Sequence, residues 1–238
     1  MSLVTILIGI AIVAVIGYAF YVYIPIGNAP RATKSLMEMA VPYSQSPESP
    51  TKQILVMGDS TAVGTGGSPS QSIAGRLGAR YPSARIVNDS ENGMKLEVFL
   101  ERFELRKSER YDFIVFQIGA NDVIGLTSEA DMRKRLEQSL SFSSTMAPCT
   151  IVMSAGNIGL APVFRFPLTT LYTKRSKEMR VLYMDVISKF RGAYYVDLYN
   201  EREDEPFNTD IPRFYAADRF HPSGDGYAIW FKKVEKFL

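Results

Sequence analysis

Histidine and cysteine are nearly missing from this chain: one of each occurs in 238 residues. A single cysteine, Cys149, excludes an intrachain disulfide. The pair together excludes a zinc site of the usual kind, which draws most of its four ligands from these two residue types. No metal and no cofactor is expected. Cys149 adjoins the apolar run Thr150–Met153 and reads as a buried, inert thiol. The lone histidine, His221, is followed by Pro222, and by itself it reads as a packing residue. Its scarcity still matters, because proton transfer near neutral pH through an unperturbed imidazole can occur nowhere else. A charge bias is lacking too. The formal net charge is +2 with no clustered basic face, so no nucleic-acid partner is expected. Composition says nothing of oligomeric state.

Charge is also absent from Val4 to Ile26, a segment of mostly Val, Ile, Leu and Ala. As a helix it would extend about 34 Å, enough to cross a hydrocarbon core of about 30 Å. Tyr18, Tyr21 and Tyr23 gather toward its end, as interfacial aromatics do. A cleaved signal peptide is the competing reading. The apolar stretch is too long for that, no basic residue precedes it, and only Gly27-Asn28-Ala29 resembles a cleavage site. The expectation is a single-pass anchor over residues 1–27 that meets the membrane through residues 4–26. Arg31 and Lys34 follow it, a two-residue bias toward a cytoplasmic catalytic domain.

Residues 28–52 carry four prolines (Pro30, Pro42, Pro47, Pro50) and no sustained period. They read as a linker with one short helix over 33–39. Beyond it, strand and helix signals alternate across 53–238. Short apolar runs at 53–57, 84–88, 113–118, 150–154 and 193–198 suit buried strands. Helical patterns cover 70–80, 95–106, 128–144, 168–190 and 224–237. This alternation predicts an α/β fold, a three-layer α/β/α sandwich with a mostly parallel sheet. Ligands in such folds bind beyond the carboxyl ends of the strands.

Four short pieces lie where such a crevice would be. Gly58-Asp59-Ser60 follows the first strand, Gly93 closes the loop after the second, Gly119-Ala120-Asn121-Asp122 follows the third, and Asp218-Arg219-Phe220-His221-Pro222 precedes the last helix. Each alone reads as a turn or a cap. Together, in this order, they resemble the signature blocks of the SGNH/GDSL hydrolase superfamily, across about residues 53 to 238. No Gly-x-Ser-x-Gly elbow of the ordinary α/β-hydrolase occurs.

The resemblance implies a flavodoxin-like sheet and a serine esterase. Ser60 would be the nucleophile, His221 its general base, and Asp218 the group orienting the imidazole. The Ser60 and Gly93 backbone N–H groups and the Asn121 side chain would form the oxyanion hole. Asp59 is expected to brace the loop around Ser60. Three positions depart from the family pattern: Thr61 replaces a leucine, Ser90 a glycine, and Met94 a polar residue. Substrates would be carboxylic esters, either short-chain acyl or lysophospholipid-like. The alternatives are a carbohydrate or cell-envelope O-acetyl esterase or acetyltransferase, and a catalytically silent binding domain on the same fold. The resemblance leans toward an exported domain, against the charge bias. Two further segments invite expectations. Asn157 to Phe166 is apolar for a loop and reads equally as acyl-pocket lining or core cover. Glu201 to Glu205 reads as a solvated acidic loop.

Overall fold

Side chains along a strand alternate between its two faces, and this places the core. In the computed structural model, which describes residues 2–238 apart from the side chains of 22–30, Lys52–Gly58 forms β1. Ile54 and Val56 point to one layer, while Leu55 and Met57 point to the other. Ala84–Asn88 is β2, Phe113–Gln117 β3, Thr150–Met153 β4 and Ala193–Val196 β5. The order is β2-β1-β3-β4-β5 and every pairing is parallel, so the expected sandwich carries a wholly parallel sheet. β3 and β4 are buried at every position, whereas the edge strands β2 and β5 are partly open. Central strands covered on both faces require such continuous apolar runs.

Helices complete the layers. On one face lie α4 (Leu96–Glu104), α6 (Glu129–Met146) and α7 (Leu168–Ser188). Phe99 and Phe103 of α4 stand edge-on to Phe116 of β3, with centroids 4.8 and 5.0 Å apart, a favoured aromatic geometry. On the other face α3 (Ile73–Arg80) and α9 (Gly224–Val234) bring Ile73, Leu77, Tyr227, Trp230 and Phe231 against Ile54, Val56 and Val115. Ser72, Ser128 and Ser223 cap α3, α6 and α9 by accepting backbone N–H bonds. Three short helices, α2 (Ser60–Val63), α5 (Ala120–Ile124) and α8 (Ile211–Phe214), were not foreseen; the first two start where β1 and β3 have just ended.

The N-terminal region differs most from expectation. The helix foreseen over 33–39 is the end of α1, which runs from Leu3 to Met39. Its stretch Leu3–Tyr21 has mean hydropathy 2.7 and no buried position, so by length and composition it is a candidate membrane span. The expectations for Tyr23 and Gly27-Asn28-Ala29 fall outside the described side chains. Residues 40–51, foreseen as linker, lie along the domain. Gln45 exchanges two backbone bonds with Ile86 of β2 (3.0 and 2.8 Å), and its side-chain amide donates to the Ala84 carbonyl (2.7 Å). The segment thereby covers part of the sheet edge that β2 would otherwise leave unpaired.

Candidate active site

The loops after β1, β2 and β3 are bound to one another before any chemistry is considered. A Cβ on Gly58 would sit 1.9 Å from the Gln117 carbonyl oxygen, so only glycine lets β1 leave the sheet beside β3. Asp59 then caps α2: its Oδ1 accepts the Thr61 N–H (2.9 Å) and the Thr61 hydroxyl (2.7 Å). Thr61, where the family pattern has leucine, supplies both donors. Asp59 is buried, and burial pushes its carboxyl up to about 6 against those donors and the nearby His221. Ser60 opens α2, so its N–H has no partner within the helix.

Gly93 has φ +80° with open space where a Cβ would stand. Glycine is needed there for the dihedral, not for room. The Asn121 amide donates to the Met94 carbonyl (3.1 Å), and Asp122 Oδ2 accepts the Leu96 N–H (2.9 Å), capping α4. These bonds tie the loop after β3 to the loop after β2, and one of the two Asn121 amide hydrogens remains for another acceptor. The Met94 side chain, where a polar residue is usual in the family, turns into the core. Arg102 of α4 and Arg106, two residues beyond its end, clamp the same loop through Asp89, and Arg102 also holds Glu91. Against its burial, these guanidinium groups hold the Asp89 carboxyl below its ordinary value.

Asp218 and His221 share one tight turn. It is closed by Ala216 N–H to the His221 carbonyl (2.8 Å) and Arg219 N–H to the Ala216 carbonyl (2.9 Å). Arg219 takes φ +58° to make it, a costly conformation for a non-glycine residue. Asp218 Oδ1 accepts the Phe220 and His221 backbone N–H groups, both at 3.0 Å. Asp218 Oδ2 lies 2.6 Å from His221 Nδ1, and His221 Nε2 lies 2.8 Å from Ser60 Oγ. All three residues are buried. Burial alone would raise the Asp218 carboxyl, but His221 and the two N–H donors hold it below its ordinary value. The structure thus brings Ser60, His221 and Asp218 into one hydrogen-bonded chain. Gly93 and Asn121 belong to the loops that flank Ser60 across the strand ends.

The apolar segment 157–166 both lines and covers. Ile158 joins the core, and the Val163 N–H donates to the Arg219 carbonyl (3.2 Å). Phe164 packs edge-on against Phe220, which itself stands edge-on to the His221 ring. Asn157, Ile158 and Ala161 also border a cavity of ≈ 40 Å³ shared with Ala120, Phe220 and His221. Glu205 reaches this cavity as well, which corrects the solvated reading of the acidic run at that position. Residues 201–204 are exposed, but Glu205 is half-buried, accepts the Phe207 N–H and the Asn200 amide, and is raised by burial. Cys149 is half-buried rather than buried, with its thiol pushed up by desolvation. Among the described residues, no three His, Cys, Asp or Glu side chains converge as a metal would require.

A parallel α/β/α sandwich with a Ser-His-Asp chain at the carboxyl ends of its strands defines a class, that of the SGNH-type hydrolases. Residues 56–229 match the family model of the GDSL-like lipase/acylhydrolases, and the chain belongs to that family. Similar solved structures include TesA, at 19% identity and TM-score 0.63 over 78% of this chain and 97% of that one. A lipolytic protein of the G-D-S-L family from Veillonella parvula shows 16% identity and TM-score 0.59 over 78% and 97%. Axe2, an acetylxylan esterase from Geobacillus stearothermophilus, shows 19% and 0.56 over 79% and 94%. At these identities the likeness is one of fold. No curated protein matches the sequence significantly.

Proposed function

We propose that this chain is a membrane-anchored serine esterase that hydrolyses carboxylic esters. One observation carries the reading: the unbroken chain Ser60 Oγ, His221 Nε2, His221 Nδ1, Asp218 Oδ2, with links of 2.8 and 2.6 Å. Serine is a weak nucleophile until a base takes its proton. His221 accepts that proton as Oγ attacks the ester carbon and returns it to the leaving alkoxide. Asp218 holds the ring and stabilises the imidazolium. Water then repeats the sequence on the acyl-enzyme. The Ser60 and Gly93 N–H groups and the remaining Asn121 amide hydrogen stabilise the oxyanion. Each such donor is typically worth about 2.7–4 kcal/mol in the transition state.

The anchor reading rests on the length and hydropathy of the apolar part of α1, Leu3–Tyr21; the end of that stretch also meets the loop beside the site. The Tyr18 hydroxyl donates to the Phe166 carbonyl (2.8 Å), and the Arg165 guanidinium lies 4.0 Å from the Tyr21 ring centre. Residues 1–27 hold the anchor and 53–238 the hydrolase unit. The ≈ 40 Å³ cavity next to His221 has room for about three or four waters at about 10–15 Å³ each, which favours a short acyl group over a long chain. The same smallness supports a second reading, an O-acetyl esterase acting on carbohydrate, as Axe2 is an acetylxylan esterase.

The test uses the full chain in detergent micelles. A fluorophosphonate is expected to label it, and Ser60→Ala to abolish labelling and p-nitrophenyl acetate hydrolysis together. Labelling that survives Ser60→Ala would refute the reading. Turnover of p-nitrophenyl esters is expected to fall from acetate to octanoate; acetylated xylan against lysophospholipid then separates the two substrate readings.

A further inference from the structure

The last two turns of α1 leave the apolar stretch behind and lie over the site. Ala32, Thr33, Leu36 and Met37 are half-buried, while Arg31, Lys34, Ser35 and Glu38 are exposed. That spacing is one helix face seated on the domain. Its two polar contacts reach different walls of the crevice. The Thr33 hydroxyl donates to Asp218 Oδ2 (3.0 Å). The Met37 carbonyl accepts from the Asn92 amide (3.1 Å), and Asn92 Oδ1 in turn accepts the Thr65 hydroxyl (2.7 Å). Asn92 adjoins Gly93, so α1 touches both the Asp-His turn and the oxyanion loop.

A threonine within a helix commonly returns its hydroxyl to a carbonyl one turn back. Thr33 instead donates to a residue 185 positions away, onto the same oxygen that faces His221 Nδ1. The two oxygens of Asp218 are held differently. Oδ1 is fixed by two backbone N–H groups of its own turn, whereas Oδ2 has only His221 and Thr33. The Asp218 side chain is fully buried, so no solvent is at hand to replace a lost donor. When the imidazole shifts to pass its proton to the leaving group, Thr33 is the donor that keeps Oδ2 in place.

We propose that Thr33 is a positioning residue for the Ser60–His221–Asp218 chain, which makes the end of the anchor helix a working part of the active site. The kinetic half of this proposal rests on the serine-esterase reading. Thr33→Val keeps the shape and removes the donor; Thr33→Ser keeps the donor. In the full chain in micelles, Thr33→Val is expected to lower kcat about tenfold with KM within about twofold, the loss of one bond to a charged group. Thr33→Ser is expected to restore kcat.

Because His221 is the sole histidine, isotope-labelled histidine gives one imidazole signal without overlap. With its competitor for Oδ2 gone, the His221 Nδ1–H bond tightens, and its proton resonance is expected to move downfield in Thr33→Val and to return in Thr33→Ser. The resonance reads the hydrogen bond whether or not an ester is turned over, so a wild-type chain that resists fluorophosphonate would refute the esterase reading separately. The proposal is overturned if either kcat or the resonance is unchanged in Thr33→Val, or if Thr33→Ser matches Thr33→Val. Thr33→Ala, read by the same signal, replaces Thr33→Val if the latter does not fold.

Discussion

Asp59→Asn tests the electrostatics of the loop that presents Ser60, and its effect should depend on pH in a defined direction. Burial raises the Asp59 carboxyl from 3.8 to about 6. At about 1.36 kcal/mol per pH unit, this corresponds to about 3 kcal/mol of preference for the neutral form in the folded protein. The folded state therefore binds the extra proton between pH 3.8 and 6. The stability this confers is complete below 3.8 and is lost as pH rises through 6. An asparagine stays neutral, and its Oδ1 can still accept both Thr61 donors. Its amide nitrogen takes the place of Oδ2, which has no partner. That substitution adds a cost of about 1–3 kcal/mol that does not vary with pH. The informative quantity is thus the change in the variant-minus-wild-type difference. From pH 3.5 to pH 8 it should shift by about 3 kcal/mol in favour of Asp59→Asn, or about 6–12 °C in Tm for a domain of this size. Thermal melts of both full chains in the same micelles, followed by near-UV circular dichroism across that range, measure it. Parallel Tm curves would refute the argument, since they would mean that Asp59 carries the same charge in folded and unfolded chains at every pH.

Two further substitutions probe the scaffold around Ser60. Asn121→Ala removes the amide that spans Met94 and the oxyanion position, and kcat for p-nitrophenyl acetate should fall by about 10²–10³ with little change in KM; a change confined to KM would remove Asn121 from the oxyanion hole. Gly58→Ala places a Cβ 1.9 Å from the Gln117 carbonyl oxygen, so β1 and β3 must separate at the site. It should cost about 1–3 kcal/mol or more in chemical denaturation and slow fluorophosphonate labelling at Ser60; wild-type values for both would show that the strand ends yield without consequence.

The sheet and the chain order of the candidate residues were legible because both follow from local rules. Apolar runs bounded by turn residues mark strands buried on two faces, and a parallel sheet collects whatever follows their carboxyl ends. Ser60, Gly93 and Asn121 could therefore be placed after β1, β2 and β3, while their expected roles came from the family resemblance of the four blocks together. What was not legible depends on contacts between distant segments. Pro25 and Pro30 argue on propensity for breaks, yet α1 extends past both to Met39. Thr33 has no distinguishing neighbour in sequence, and its partner is 185 residues away. Glu205 looked like the other acidic residues of its run until the fold buried it beside Phe207 and Asn200. Nothing in the helical pattern over 95–106 showed that Arg102 and Arg106 brace the Gly93 loop.

Two aspartates approach the lone imidazole, and the structure separates their roles by counting donors. Asp59 takes both its bonds from Thr61 on one oxygen, and the other oxygen is buried without a partner; its proton is therefore held up to about pH 6. Asp218 takes four donors across two oxygens and is held below its ordinary value in spite of burial. A carboxylate behind a general base must stay ionised while the imidazole gains its proton. Of the two, Asp218 meets that requirement, since Asp59 is neutralised as pH falls through 6. Pairs of acids pushed apart in this way separate a working anion from a structural group. Here one of the four donors to Asp218, the Thr33 hydroxyl, comes from the end of α1.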